Sequence, residues 1–297
     1  MSRLETVSNL AGSDSVRSLP FDGAQGRDFA CGLPLVPSSG TSLTPARRLK
    51  LESLSTMKAV AIIPARLGST RLPRKVLREI AGKPMLAHVY DAVYQAAGLA
   101  EVLVATDSEE VAALAHERGW SVRMTSSAHR SGTERVHEVA ASLAADVYIN
   151  VQGDEPLARP EHIAALLALF ASPEVQVATL KTACSHADVS NPNAVKVVTD
   201  VSGRALYFSR AAIPHDRDAT GKVRYYKHLG FYAYRRAALD RFVALPESWL
   251  ERAERLEQLR FLDNGVSIHV AETLYDTIGV DTEEDLKRVE ELLRSRG

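Results

Sequence analysis

Five consecutive apolar residues, Ala59-Val60-Ala61-Ile62-Ile63, run without a polar interruption into a loop carrying Arg66, Arg71, Arg74 and Lys75. A strand with no polar alternation must be covered on both faces, which calls for helices on two sides of a sheet. The rest of the chain supplies them. Pro84 opens a helical pattern through Val93 that stops near Gly98, and Val102–Ala105 reads as the next strand. Acidic residues at Thr106–Glu110 mark a helix start that runs to Gly119, and Val122–Met124 is a short third strand. Gly132–Leu143 reads as helix, Val147–Val151 as strand and Pro160–Ala171 as helix. Strand–helix alternation at this interval predicts an α/β fold, three-layered and Rossmann-like, with a mainly parallel mixed sheet.

The second half is less regular. Val195–Val198 and Ala205–Phe208 form an expected hairpin around Asp200–Gly203. A strand is expected over His228–Tyr234, a helix over Arg255–Leu262, a strand over Ser267–Val270, and a last helix from Asp281, with Asp281 as its N-cap. A smaller part, about 185–265, is expected to be inserted in this half.

Composition narrows the partners. The 297 residues carry 36 basic and 37 acidic side chains, a net charge of -1, which leaves no broad footprint for nucleic acid or an anionic membrane. An anionic ligand must then be held by locally placed cations and backbone N–H groups. The two cysteines, Cys31 and Cys184, are far apart and suit a reducing compartment better than a disulfide or zinc framework. No apolar run approaches the roughly 18 residues of a membrane-spanning helix. Residues 1–56 are rich in Ser, Gly, Leu and Pro, show no sustained period, and lack the basic-then-apolar order of a signal peptide. They read as a disordered extension, or as the product of a start assigned upstream of Met57. The folded domain is expected over 57–297.

The first loop, Pro64-Ala65-Arg66-Leu67-Gly68-Ser69-Thr70-Arg71-Leu72-Pro73-Arg74-Lys75, follows a buried strand, where ligands of open α/β sheets sit. Gly68, Ser69 and Thr70 can bring N–H groups and hydroxyls to phosphate oxygens, and Arg66, Arg71 and Lys75 can neutralise them. The loop matches neither the GxxxxGK[ST] nor the GxGxxG pattern. Asp154, just past the strand 147–151, can hold Mg²⁺ against a triphosphate or serve as a turn residue.

These residues, with Ser131-Gly132-Thr133-Glu134-Arg135, Asn150-Val151-Gln152-Gly153-Asp154-Glu155-Pro156, Asn191-Pro192-Asn193-Ala194-Val195-Lys196, Tyr207-Phe208-Ser209-Arg210 and Gly279-Val280-Asp281-Thr282, resemble the 3-deoxy-manno-octulosonate cytidylyltransferases, or CMP-Kdo synthetases, over about 58–295. The resemblance implies CTP binding by Pro64, Ala65, Arg66, Ser69, Thr70, Arg71, Lys75, Asp107, Ser131, Gly132, Thr133 and Arg135. It implies Mg²⁺ on Asp154 and Asp281, and contacts to an acidic sugar from Gln152, Arg210, His228, Tyr232, Glu257 and Gln258. His228 and Tyr232, four apart on a strand, point to one face. Glu155 reads as a supporting residue. Arg74 departs from the family, where a small residue, often Gly, stands between this Pro and Lys.

The reaction implied is attack by the sugar's anomeric hydroxyl on the α-phosphorus of CTP, with Arg66, Arg71, Lys75, Asp154 and Asp281 as the catalytic set and a second Mg²⁺ helping to deprotonate the hydroxyl. A homodimer in a bacterial cytoplasm, serving lipopolysaccharide synthesis, is also implied. The rival readings are CMP transfer to another acidic sugar, such as a sialic acid or 8-amino-Kdo, and a non-catalytic nucleotide-binding module.

Overall fold

The computed structural model describes residues 57–69 and 71–295. The expectations for 1–56 and Thr70 lie outside these residues. In chain order the strands and helices are β1 (Ala59–Pro64), β2 (Glu79–Ile80), β3 (Lys83–Pro84), α1 (Met85–Tyr94), β4 (Leu99–Thr106), α2 (Glu109–Glu117), β5 (Ser121–Met124), α3 (Gly132–Ala141), β6 (Val147–Val151) and α4 (Pro160–Leu169). The second half adds β7 (Val177–Ala183), α5 (His186–Ser190), β8 (Lys196–Thr199), β9 (Ala205–Ser209), β10 (Tyr226–Tyr234), α6 (Arg236–Ala244), α7 (Trp249–Glu254), α8 (Leu259–Asp263), β11 (Ile268–Glu272) and α9 (Glu283–Arg294). No helix among the described residues is long and apolar enough to cross a membrane.

The main sheet runs β11-β7-β10-β6-β1-β4-β5. Pairs β1/β4, β1/β6, β4/β5 and β7/β11 are parallel, and β10 is antiparallel to both its neighbours β6 and β7. The apolar run explains the layers. Ala59, Ala61 and Ile63 face one core with Leu86 and Val89 of α1 and Ile163 and Leu166 of α4. Val60 and Ile62 face the other, with Val136 and Val139 of α3 and Leu239 and Phe242 of α6. A third, smaller core joins Leu72 of the first loop, Met85, Leu157, Val280, and Leu286 and Val289 of α9. Residues 185–265 contribute the β8–β9 hairpin and α5–α8, while β10 from the same stretch is built into the main sheet.

Two expected elements move. Arg255 is not helical but ends α7 in the left-handed region (φ 53), and α8 begins only at Leu259. Glu257 and Gln258 therefore stand in a turn between two short helices. Asp281 is not the N-cap of α9. Thr282 is, in a reciprocal capping box with Asp285.

Strand β7 is not anticipated from the sequence, because Thr179, Lys181 and Thr182 interrupt its apolar pattern although all three are buried. Each of two has a partner. The Lys181 ammonium donates to Thr199 Oγ1 (2.8 Å) and lies over the Tyr226 ring. Thr179 fills an irregularity where β10 carries two extra residues between Leu229 and Tyr232. Its hydroxyl donates to Phe231 O (2.8 Å) and approaches Leu229 O (3.3 Å). Thr179→Val keeps the shape but removes the hydroxyl's bonds to these buried carbonyls and to the His228 ring. It should lower stability by about 1–3 kcal/mol, read as a reduced denaturant midpoint at unchanged slope.

Candidate active site

Parallel pairing of β1 and β6 sets the loops that follow them side by side. Gly153 N donates to Pro64 O (3.2 Å), and a Cβ on Gly153 would stand 3.0 Å from that oxygen, a contact that a larger residue could make only if the two loops moved apart by a few tenths of an ångström. Gly132, first residue of α3, lies so close to the Gln152 amide that an added Cβ would fall 2.9 Å from Nε2. Val280 N donates to Asp154 O (2.9 Å), which ties the segment before α9 to the same turn.

These ties bring four charges together. Lys75 Nζ donates to Asp154 Oδ2 (2.5 Å) and Asp281 Oδ1 (2.8 Å), and Arg71 donates to Asp281 Oδ2 (2.8 Å). Asp281 has its carboxylate free for this because Thr282 takes the capping role. Burial alone would lower the Lys75 pKa, but Asp154 and then Asp281 outweigh it and hold the ammonium above the ordinary lysine value. Burial opposes ionisation of Asp281, and Lys75 and Arg71 overcome it, holding the carboxyl below its usual range.

Two chambers meet at this cluster. One, of about 440 Å³, is lined by Pro64, Ala65, Arg66, Ser69, Arg71 and Lys75 from the first loop, and by Ser131, Gly132, Arg135, Gln152, Asp154 and Asp281. Ser131 also caps α3, its hydroxyl accepting from Glu134 N (3.3 Å). Asp107 does not line the chamber but stands behind it, accepting from buried Arg135 (3.1 Å). Arg135 also donates to Thr125 Oγ1. Thr133 likewise lies behind, donating to Glu257 Oε1 (2.7 Å). Thr70 is outside the described residues. Arg74 lies off the site with φ 57, the left-handed conformation a glycine adopts most easily, and pairs with Glu110.

The second chamber, of about 570 Å³, shares Arg71, Gly132, Gln152 and Asp281 with the first and is lined by Arg210, His228, Tyr232, Glu257 and Gln258. All six residues expected around an acidic sugar are thus in one place. The His228 and Tyr232 rings lie 5.3 Å apart, on one face. With the proton on Nε2, His228 donates to Thr179 Oγ1 (3.0 Å) and Nδ1 remains an acceptor. Burial pushes the His228 pKa down to about 3, so the imidazole is neutral. Arg210 is less free than its charge suggests: Nε donates to Glu254 O (2.7 Å) and one terminal nitrogen to Pro192 O (2.9 Å).

Buried polar atoms concentrate here. Among the described residues six buried side-chain polar atoms have no partner, and four of them, Glu155 Oε2, Tyr232 OH, Glu257 Oε2 and Gln258 Nε2, belong to residues lining this chamber. An unpaired buried polar group costs free energy that a ligand hydroxyl or amide can recover.

The chain's relatives agree with this architecture. The cytidylyltransferase family profile matches residues 60–268. The 3-deoxy-manno-octulosonate cytidylyltransferase of Koribacter versatilis is 66% identical over 85% of this chain and 95% of its own length. The present chain belongs to the 3-deoxy-manno-octulosonate cytidylyltransferase family. The Acidobacterium capsulatum member is 60% identical over 82% of this chain and 99% of its own. A solved CMP:2-keto-3-deoxy-manno-octonic acid synthetase complexed with CTP is 48% identical, with a TM-score of 0.77, covering 81% of this cytidylyltransferase and all of the other chain.

Sequence reasoning misses His129, which lines the smaller chamber and is held by Glu138. It also assigns Glu155 only a supporting place. In the structure Glu155 lines the larger chamber, and a Cβ on Gly230 or Gly279 would fall within 3.2 or 3.4 Å of its Oε1. Burial, with Asp154 next to it, raises its pKa to about 7. A carboxyl whose folded-state pKa is raised takes up its proton more readily when folded. Its stabilising contribution is therefore full below the unfolded value, near 4.5, and is lost as pH rises through about 7. Glu155→Gln should remove this loss. Unfolding of the metal-free protein should show the variant gaining on the parent across pH 5–7, by at most about 1.4 kcal/mol per pH unit; parallel pH profiles would contradict the assignment.

Proposed function

We infer that this enzyme transfers CMP from CTP to 3-deoxy-D-manno-octulosonate (Kdo), forming CMP-Kdo and releasing pyrophosphate. The observation that carries the reading is the junction of two chambers at Arg71, Gln152 and Asp281, one lined by the cationic loop and the other by unpaired polar groups. A nucleotide and a polyhydroxylated acid bound there would meet at the charged cluster.

The chemistry follows from position. The sugar's anomeric oxygen forms a bond to the α-phosphorus as the bond to the pyrophosphate oxygen breaks, and the hydroxyl proton passes to solvent. Arg66, Arg71 and Lys75 neutralise the charge on the triphosphate and on the departing pyrophosphate. Ser69 and the main chain of Pro64–Ala65 border the same chamber. Thr70 belongs to this proposed CTP set too. Ser131, Gly132 and Arg135, backed by Asp107 and Thr133, form its far side, where cytosine and ribose would lie. Gln152, His228, Tyr232, Glu257 and Gln258 offer acceptors and donors to sugar hydroxyls. The N–H groups that Arg210 has left are directed to the sugar carboxylate.

Asp154 and Asp281 are the residues that would hold Mg²⁺. Their oxygens converge on the single Lys75 nitrogen, so two hard oxygen donors already surround one point. Among the described residues no group of three or more His, Cys, Asp or Glu gathers for a metal, and Mg²⁺ commonly takes only one or two protein carboxylates. When bound, the ion supplies charge neutralisation and Lewis acidity at the phosphates. The present cluster pairs two cations with two carboxylates, and Lys75 and Arg71 become available to phosphate once those carboxylates have another cation.

We further place the enzyme in a bacterial cytoplasm as a homodimer acting in lipopolysaccharide synthesis, with 185–265 carrying the sugar-binding and dimerisation surfaces. Exposed Val201 and Leu206 on the β8–β9 hairpin and Trp249 at the start of α7 support that surface. Sedimentation tests the dimer.

Pyrophosphate release from CTP and Mg²⁺ should occur with Kdo and fall sharply with sialic acid or 8-amino-Kdo. Absence of release with every acidic sugar would exclude the enzymatic reading. Asp154→Ala should abolish turnover while thermal unfolding stays cooperative; near-normal turnover at saturating Mg²⁺ would remove Asp154 from the metal site.

A further inference from the structure

Four cationic side chains line the larger chamber: Arg71, Arg210, Lys227 and Arg288. Three are occupied. Arg71 pairs with Asp281 (2.8 Å), and Lys227 donates to Asp276 and to Thr277 O (both 2.8 Å). Arg210 donates to the carbonyls of Glu254 and Pro192. Arg288 is exposed and, among the described residues, makes no ion pair or hydrogen bond.

Its freedom has a cause in α9. The helix buries Leu286 and Val289 against the third core, which leaves Asp285 and Arg288, three residues apart, bordering the chamber together. Asp285 would be the natural partner of Arg288. Its Oδ2 is instead taken by Asp281 N (3.1 Å), Thr282 N (3.0 Å) and Thr282 Oγ1 (2.9 Å), the bonds that cap the helix. Arg288 thus sits nearly two turns along α9 from Asp281, too far along to share in the charged cluster, with its guanidinium unspent. An unpaired guanidinium beside a cavity is suited to a carboxylate, which it can grip through two parallel N–H bonds.

We propose that Arg288 gives the carboxylate of the acidic sugar a second cationic contact in the larger chamber, beside the N–H groups left on Arg210, and so sets affinity for that substrate. The proposal rests on the acidic-sugar reading above. Arg288 acts on binding and takes no part in the transfer step. Arg288 stands on the helix whose cap, Thr282, directly follows Asp281, so substrate capture and the charged cluster are joined through α9 and its cap.

The test is steady-state kinetics of full-length Arg288→Gln and Arg288→Lys with Kdo and CTP varied separately. Losing one charged contact predicts a KM for Kdo raised about tenfold or more, with kcat and the KM for CTP within about twofold. Lysine should recover part of the loss, since it keeps the charge but not the fork. The fall of kcat/KM for Kdo with added KCl should flatten in the glutamine variant. An unchanged KM for Kdo overturns the proposal. So does an equal rise in the KM for CTP, or weakened product inhibition by pyrophosphate, either of which assigns the guanidinium to the phosphate chain. If the parent enzyme turns over sialic acid but not Kdo, the Kdo reading fails, and the same comparison on sialic acid decides Arg288 independently.

Discussion

The parallel pairing of β1 with β6, in register from Ala59 opposite Val147 to Ile62 opposite Asn150, is the constraint from which the site follows. Both strands are buried on both faces, so neither can slip without exposing its core residues. Their carboxyl ends then emerge together, and the cationic loop and the Gln152-Gly153-Asp154 turn are neighbours by necessity. The Gly153–Pro64 bond fixes their separation, and the Val280–Asp154 bond adds the second carboxylate. Lys75 can bridge Asp154 and Asp281 only because all three backbones are held within reach.

Much of this is legible in the sequence because it is local. The apolar run 59–63, the loop cations and the Asp154 turn lie within or next to one element each, and the structure finds them where the alternation of strand and helix puts them. The sugar chamber is less legible. His228 and Tyr232 share a face as their spacing requires, but an irregularity between them is accommodated by Thr179 from a strand whose polar residues conceal it. Glu257 and Gln258 stand in a turn because Arg255 adopts a left-handed conformation that no propensity of arginine announces. Asp281 is released from capping by its neighbour Thr282, a choice between adjacent residues that the sequence leaves open. Glu155, His129 and Arg288 gain their meaning only from residues far away in the chain.

The two chambers also divide the physics. The smaller chamber is dominated by charge: ammonium and guanidinium groups balanced by carboxylates. The larger chamber is dominated by unmet hydrogen-bonding capacity, with neutral His228, Tyr232 OH, Glu257 Oε2 and Gln258 Nε2 enclosed together. Charge attracts any polyphosphate, whereas enclosed donors and acceptors penalise a ligand that cannot pair with each of them. On the proposed function, selectivity for the acceptor would reside in the less regular half of the molecule.

Lys75 and Asp281 are 206 residues apart, and Arg71 and Asp281 are 210 apart. Contacts of such sequence separation close very large loops and carry the highest entropic toll on the way to the native state. The sheet can assemble from nearer pairings, β1 with β4 and β4 with β5, before α9 docks through its small core. The second carboxylate of the charged cluster is thus the part of the site held by the longest-range contacts, and it depends on the small core that seats α9.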